Sequence, residues 1–257
     1  MRSCLIAMRT ERRSFLDVSF DAAPMNQLLP EIAAFRSDSP YGYLVTPNVD
    51  HLVRLHGKGP EIAGLAEVYR RADFCTCDSR VLARLAKWRG VSLPVVPGSD
   101  LTALLFEQVI EAGDRIGIVG GDAALLAALQ VKFPRVTFVQ HQPPMGLMQD
   151  PEARRRAAEF ISHEQPRFTF VCVGSPQQEL IASEALNFEG SRGLALCVGA
   201  ALEFITGTQK RAPLFARRLG LEWAHRLLSN PRRMWKRYLI EGPVIFLLAY
   251  RWRRSAA

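Results

Sequence analysis

Short apolar runs recur along the chain, each ended by a glycine or polar break and followed by a segment with helical spacing. The fullest run, residues 168–173, is β-rich and does not alternate, which suits a strand covered on both faces of a parallel sheet. Gly174 ends it. Ser175 is then placed to cap a helix, Pro176 to take its first position and Gln178 to complete a capping box. The same order predicts strands at 16–20, 41–45, 73–77, 115–119, 136–140 and 193–198. Helices are predicted at 25–35, 49–55, 61–71, 78–88, 101–111 with Asp100 as cap, 123–133, 151–163 and from 199 to about 207. Residues 1–14 are polar and basic and are expected to fray.

About six strand–helix alternations predict an α/β fold, a parallel sheet wrapped by helices on both faces. Crossovers in such a sheet are right-handed, so the loops that lead into helices share one edge. Thr46, Asn48, Asp78, Gly120 and Gln178 then gather at one crevice, where helix N-termini favour phosphate-bearing ligands. Plainer readings stand beside this one. Thr46 and Asn48 serve equally well as local caps, Asp78 as an N-cap and Gln178 as part of its own capping box. Gly120-Gly121 is not a GxGxxG fingerprint and carries little by itself.

Composition narrows the class. The chain has 257 residues, 48% of them hydrophobic, enough for a large core or a domain with an appendage. Its five cysteines are irregularly spaced, with no CxxC pair and no zinc-ligand spacing, and read as small core residues in a reducing compartment. No signal-peptide pattern and no apolar stretch long enough to span a bilayer is present.

Charge divides the chain in two. From Lys210 onward there are twelve Lys/Arg against two Asp/Glu, whereas the residues before it balance to −2. Lys210-Arg211-Ala212-Pro213 marks the junction, so the expected division is 1–208 and 209–257. In the second part an apolar stripe at 214–228 carries Arg217, Arg218 and Arg226. Residues 232–240 then interleave Arg232, Arg233, Lys236 and Arg237 with Met234, Trp235, Tyr238 and Leu239. Basic helices edged with Trp and Tyr suit an anionic membrane surface. A helical pair packed on its own core, and a tail binding nucleic acid, are the alternatives; no nucleic-acid recognition motif is present.

An ordered set of segments resembles the WecB/TagA/CpsF-type glycosyltransferases. It comprises Thr46-Pro47-Asn48, Ala72-Asp73 to Asp78, Gly98-Ser99-Asp100-Leu101, Gly120-Gly121, Gly174-Ser175-Pro176-Gln177-Gln178-Glu179 and Gly199 to Gly207. It closes with Lys210-Arg211-Ala212-Pro213, Gly220-Leu221-Glu222-Trp223, Arg226-Leu227 and Pro231-Arg232-Arg233 to Tyr238. The resemblance implies a Rossmann-like domain with a basic C-terminal appendage. It also implies inverting transfer of a hexose from a UDP-sugar, of the UDP-glucose or UDP-N-acetylmannosamine type, to a polyprenyl-pyrophosphate-linked sugar in cell-surface or exopolysaccharide synthesis. The place implied is the cytoplasmic face of the plasma membrane, with peripheral attachment, no cofactor, no metal and no nucleic acid; a homo-oligomer is left open. By position, Asp78 stands where the family's general base is proposed, with Thr46 and Asn48 in the same pocket. Gly120, Gly121, Gly174, Ser175, Gln178 and Glu179 fall on the donor side. Arg226, Arg233, Lys236 and Arg237 fall where cations complete the site over the diphosphate. The chain departs from the family pattern at Cys77-Asp78-Ser79, where Ala-Asp-Gly is frequent, at Glu203, where many have Asp, and at Lys236, a point charge where others have Arg. The reading that competes from another class is a nucleotide- or nucleic-acid-binding regulatory protein with a basic tail.

Overall fold

The computed structural model describes residues 11–57, 62, 64–209, 211–213, 216 and 219–253, the side chains of Arg226 and Arg233 excepted. Six strands make one parallel sheet: β3 (Gly42–Val45), β4 (Phe74–Cys75), β5 (Arg115–Val119), β6 (Thr137–His141), β7 (Phe168–Val171) and β8 (Leu194–Cys197). Their spatial order is β4-β3-β8-β7-β5-β6. In register, Val45 sits opposite Cys197, Cys197 opposite Val171, and Val171 opposite Val119, so these strands end level with one another.

The absence of alternation along these strands has a simple cause: both faces are covered. Tyr43, Val45, Val171, Ala195 and Cys197 point into one apolar layer, and Leu44, Phe168, Phe170, Leu194 and Leu196 into the other. Helices α2 (Val49–Leu55), α3 (Leu65–Arg71), α4 (Arg80–Trp88), α7 (Pro151–Glu164) and α8 (Gln177–Glu184) cover the first layer. Helices α1 (Met25–Ala33), α5 (Gly98–Gln108), α6 (Ala123–Lys132) and α9 (Ala201–Thr206) cover the second. In the middle of the sheet, the neighbours β3, β8 and β7 send their chains to alternate faces. After β3 and β7 the chain enters α2 and α8 on one side; after β8, between them, it enters α9 on the other. Such divergence opens a crevice at the C-terminal strand ends, where α/β proteins bind ligands.

Several expectations need correction. Residues 12–14 do not fray, and the strand expected at 16–20 is a two-stranded antiparallel hairpin, β1 (Arg12–Phe15) and β2 (Val18–Asp21). Its turn places Leu16 and Asp17 at positive φ, the geometry usually given to Asn-Gly. Helix α3 starts at Leu65, after Gly64 at φ +83°; Glu61 lies outside the described residues. β4 is only Phe74–Cys75, with Cys77 making a separate bridge to Val95. Cys75, Cys77 and Cys197 are free and buried, as core residues should be.

Beyond α9 the chain forms α10 (Glu222–Ser229), α11 (Pro231–Trp235), a π-helical turn Lys236–Glu241, and α12 (Val244–Arg251). Lys210 and residues 214, 215, 217 and 218 of the expected stripe lie outside the described residues. The last helix is two-faced. Ile245 and Ala249 are buried in the same apolar layer as β3 and β8, whereas Phe246, Leu247 and Tyr250 are exposed. Trp252 packs edge-on to Phe15 with ring centroids 5.1 Å apart, and the Arg89 guanidinium donates to the Trp252 carbonyl at 2.6 Å.

Candidate active site

The strand-end loops are sewn together by hydrogen bonds. After β3, the Asn48 side chain caps α2 by accepting from the Asp50 amide at 3.0 Å. Thr46 is not a local cap: its buried hydroxyl donates across to the Cys197 carbonyl at the end of β8, at 2.9 Å. The Asp78 amide donates to the Pro47 carbonyl at 3.1 Å, joining the β4 loop to the β3 loop. Asp78 is not the cap of α4 either; Ser79 fills that role by accepting from the Leu82 amide at 3.2 Å. Residue 79 therefore serves the helix, and the carboxylate of Asp78 belongs to the loop.

The start of α5 closes in from the second face. A side-chain carbon at Gly98 would stand 3.2 Å from both Thr46 and Val198, so only glycine fits this approach without displacement. The helix begins here, three residues before the expected Leu101, with Pro97 at the N-cap position. Asp100 accordingly lies in the first turn instead of capping it, and pairs with Arg211 at 2.7 Å.

The turn after β7 departs most from the expected pattern. Pro176, joined to Ser175 by a cis peptide bond, takes the N-cap position of α8, and the helix starts at Gln177. Ser175 and Gln178 thus form no capping box. The Ser175 hydroxyl accepts from Arg54 at 3.0 Å. The Gln178 amide bridges two loops: its oxygen accepts from the Gly199 amide at 3.1 Å, and its nitrogen donates to Glu179 at 2.8 Å. Glu179 is fully buried. Gly120, at φ +98°, meets this region from β5, since a side-chain carbon there would lie 2.9 Å from Val173. Gly121 follows at φ +68°, and Gln140 donates to the Gly120 carbonyl at 2.9 Å, fixing the turn.

Behind these loops lies a buried polar cluster. His51 stands 3.9 Å from Glu179, too far for a hydrogen bond. Burial lowers the His51 pKa, against an opposing pull from Glu179. Burial likewise pushes the Tyr69 phenol well up, with Glu179 adding in the same direction. The His51 Nδ1, the Glu179 Oε2 and the Tyr69 hydroxyl are buried without hydrogen-bond partners among the described residues.

Of the four expected C-terminal cations, Arg237 is brought to the sheet mouth. It pairs with Asp50 at 3.1 Å, and Asp50 also holds Arg54 at 2.8 Å. Lys236 instead reaches Glu241 at 3.7 Å and is well exposed. The side chains of Arg226 and Arg233 lie outside the described residues. Asp50 and Arg54 were missed from sequence. Their i, i+4 spacing on α2 was the available signal, and it reads as an ordinary helix-surface pair.

Among the described residues no group of three or more His, Cys, Asp or Glu is arranged to hold a metal ion. No helix among them is long and apolar enough to cross a membrane. The loops that converge here are those quoted for the family resemblance. A family model described as "Glycosyl transferase WecG/TagA/CpsF family" matches residues 13–257, both the sheet domain and the basic C-terminal part. The chain belongs to this family of glycosyltransferases of cell-surface polysaccharide synthesis.

Proposed function

We propose that the protein is an inverting glycosyltransferase that moves a hexose from a UDP-sugar to a polyprenyl-pyrophosphate-linked sugar at the cytoplasmic face of the plasma membrane. One observation carries the reading: the loops after β4, β3, β8 and β7 are joined in sequence through Asp78–Pro47, Thr46–Cys197 and Gly199–Gln178 hydrogen bonds. That chain of contacts joins the loops of Asp78, Thr46 and Gln178 along one rim, which supports a shared site.

The chemistry follows from what the rim carries. Inversion needs a base that takes the acceptor hydroxyl's proton as the anomeric carbon is attacked from the face opposite the leaving group. Asp78 is assigned that role, with Thr46 and Asn48 shaping its pocket. UDP leaves with charge on its diphosphate, and cations with backbone N–H groups stabilise that charge. Gly120, Gly121, Gly174, Ser175 and Gln178 are assigned to the donor side, and Arg237, with Arg226, Arg233 and Lys236, to the diphosphate.

Residues 209–257 are assigned to an anionic membrane surface. The exposed Trp235, Leu239, Ile240, Phe246, Leu247 and Tyr250 all lie there, among the excess cations. Each Lys or Arg near such a surface contributes about 1 kcal/mol.

The test is Asp78→Asn, assayed for sugar transfer to a short-chain lipid-pyrophosphate sugar and separately for UDP binding. Transfer should fall by at least about a thousandfold, with UDP affinity within about threefold of wild type. Full transfer activity in that variant overturns the base assignment.

A further inference from the structure

We propose that Asp50 is a positioning residue which couples docking of the Lys236–Glu241 turn to the setting of the Gly174–Ser175 turn; the proposal rests on the donor-side assignment above. One oxygen of its carboxylate receives two guanidinium groups, Arg54 from the same helix at 2.8 Å and Arg237 from the C-terminal part at 3.1 Å. Arg54 then carries the connection onward, donating its other arm to the Ser175 hydroxyl at 3.0 Å. The path runs from the C-terminal turn through Arg237, Asp50 and Arg54 to Ser175, and every link is a charge-assisted contact.

The surroundings suit a coupling device better than a surface ion pair. The Asp50 side chain is only 16% exposed, so solvent screens its two partners weakly. Asp50 is also fixed in place, because its amide is held by the Asn48 side chain and its position on α2 does not depend on the carboxylate. The Arg237 Nε is buried without a hydrogen-bond partner among the described residues. Among the described ion pairs, the Asp50 carboxylate is the group of the sheet domain that holds Arg237.

Removing the carboxylate frees both arginines at once, whereas removing Arg54 cuts only the onward link. Amide hydrogen exchange in residues 236–241 reads the first connection, and UDP affinity reads the second. Both are measured on the full-length protein as wild type, Asp50→Asn, Arg54→Gln, the double variant and Asp50→Glu.

Asp50→Asn should speed exchange in 236–241 about tenfold or more, and Arg54→Gln should leave it unchanged. Each single variant should weaken UDP binding by about tenfold, and the double variant by no more than the weaker-binding single. Asp50→Glu, which keeps the charge, should recover both readouts in part. Unchanged exchange in Asp50→Asn, or multiplied UDP penalties in the double variant, overturns the proposal. If wild type binds no UDP, the donor assignment fails, and the exchange arm still decides whether Asp50 holds the C-terminal turn.

Discussion

Replacing Gln178 by leucine should cost far more than a cap is worth. The substitution removes two hydrogen bonds, from the Gly199 amide and to the Glu179 carboxylate. The first is neutral, worth about 1 kcal/mol, and the second involves a fully buried carboxyl group, worth about 1.5–3 kcal/mol. Their sum is roughly 2.5–4 kcal/mol. For a chain of this size about 2–4 °C of melting temperature goes with each kcal/mol, so the midpoint should fall by roughly 10 °C. A helix cap lost in the same place would cost about 1 kcal/mol. The double variant Gln178→Leu/Glu179→Leu discriminates further. With the carboxyl group gone, no buried carboxyl group is left without its amide partner, and the penalty should be smaller than the two single penalties added. Thermal and urea unfolding followed by circular dichroism supply the numbers. A Gln178→Leu midpoint within about 2 °C of wild type, or strict additivity in the double variant, refutes the bridging role of Gln178.

Two more outcomes follow from groups away from the rim. Arg167 is buried at the opposite sheet edge, where it donates to the carbonyls of Phe35, Val109 and Ala33 and pairs with Asp114 at 2.7 Å. Arg167→Met should lose about 3–5 kcal/mol of stability with kcat unchanged below the melting range; a large loss of kcat in protein shown to be folded contradicts this. His51 has a folded pKa below its ordinary value of 6.5, so under pH 6.5 the unfolded chain binds a proton that the folded chain refuses. Its contribution is complete above that pH and is lost as pH falls from there toward the lowered folded value. The urea midpoint should therefore drop on acidification more in wild type than in His51→Gln, whereas equal drops rule out this source.

The layered fold was legible because burial on both sheet faces leaves unbroken apolar runs. The strand at 115–119 and the helix at 49–55 were placed to the residue, and Asn48 was a legible cap because capping is a contact between neighbours in sequence. What stayed hidden depends on distant partners. Ser175 and Gln178 have the spacing of a capping box, and only the arrival of Arg54 and Gly199 across the sheet decides otherwise. Asp100 reads as a cap until Arg211, far along the chain, is found beside it. Leu16-Asp17 hid a hairpin because neither residue is a usual choice for positive φ. Arg167 gave no sign, since a lone arginine before a strand looks like surface.

The placement of Ile245 and Ala249 within the main apolar layer changes what kind of attachment the last helix offers. Whatever grips its outward row of Phe246, Leu247 and Tyr250 grips the sheet domain directly, through one helix diameter of about 10 Å. Held there, the protein sits like a bracket screwed to a wall: its tilt is fixed, and the crevice opens at a set height from whatever it is fastened to. With the proposed lipid-linked acceptor, the sugar would be carried to that height on its own stalk, and stalk length and mounting angle together would select which acceptors are served.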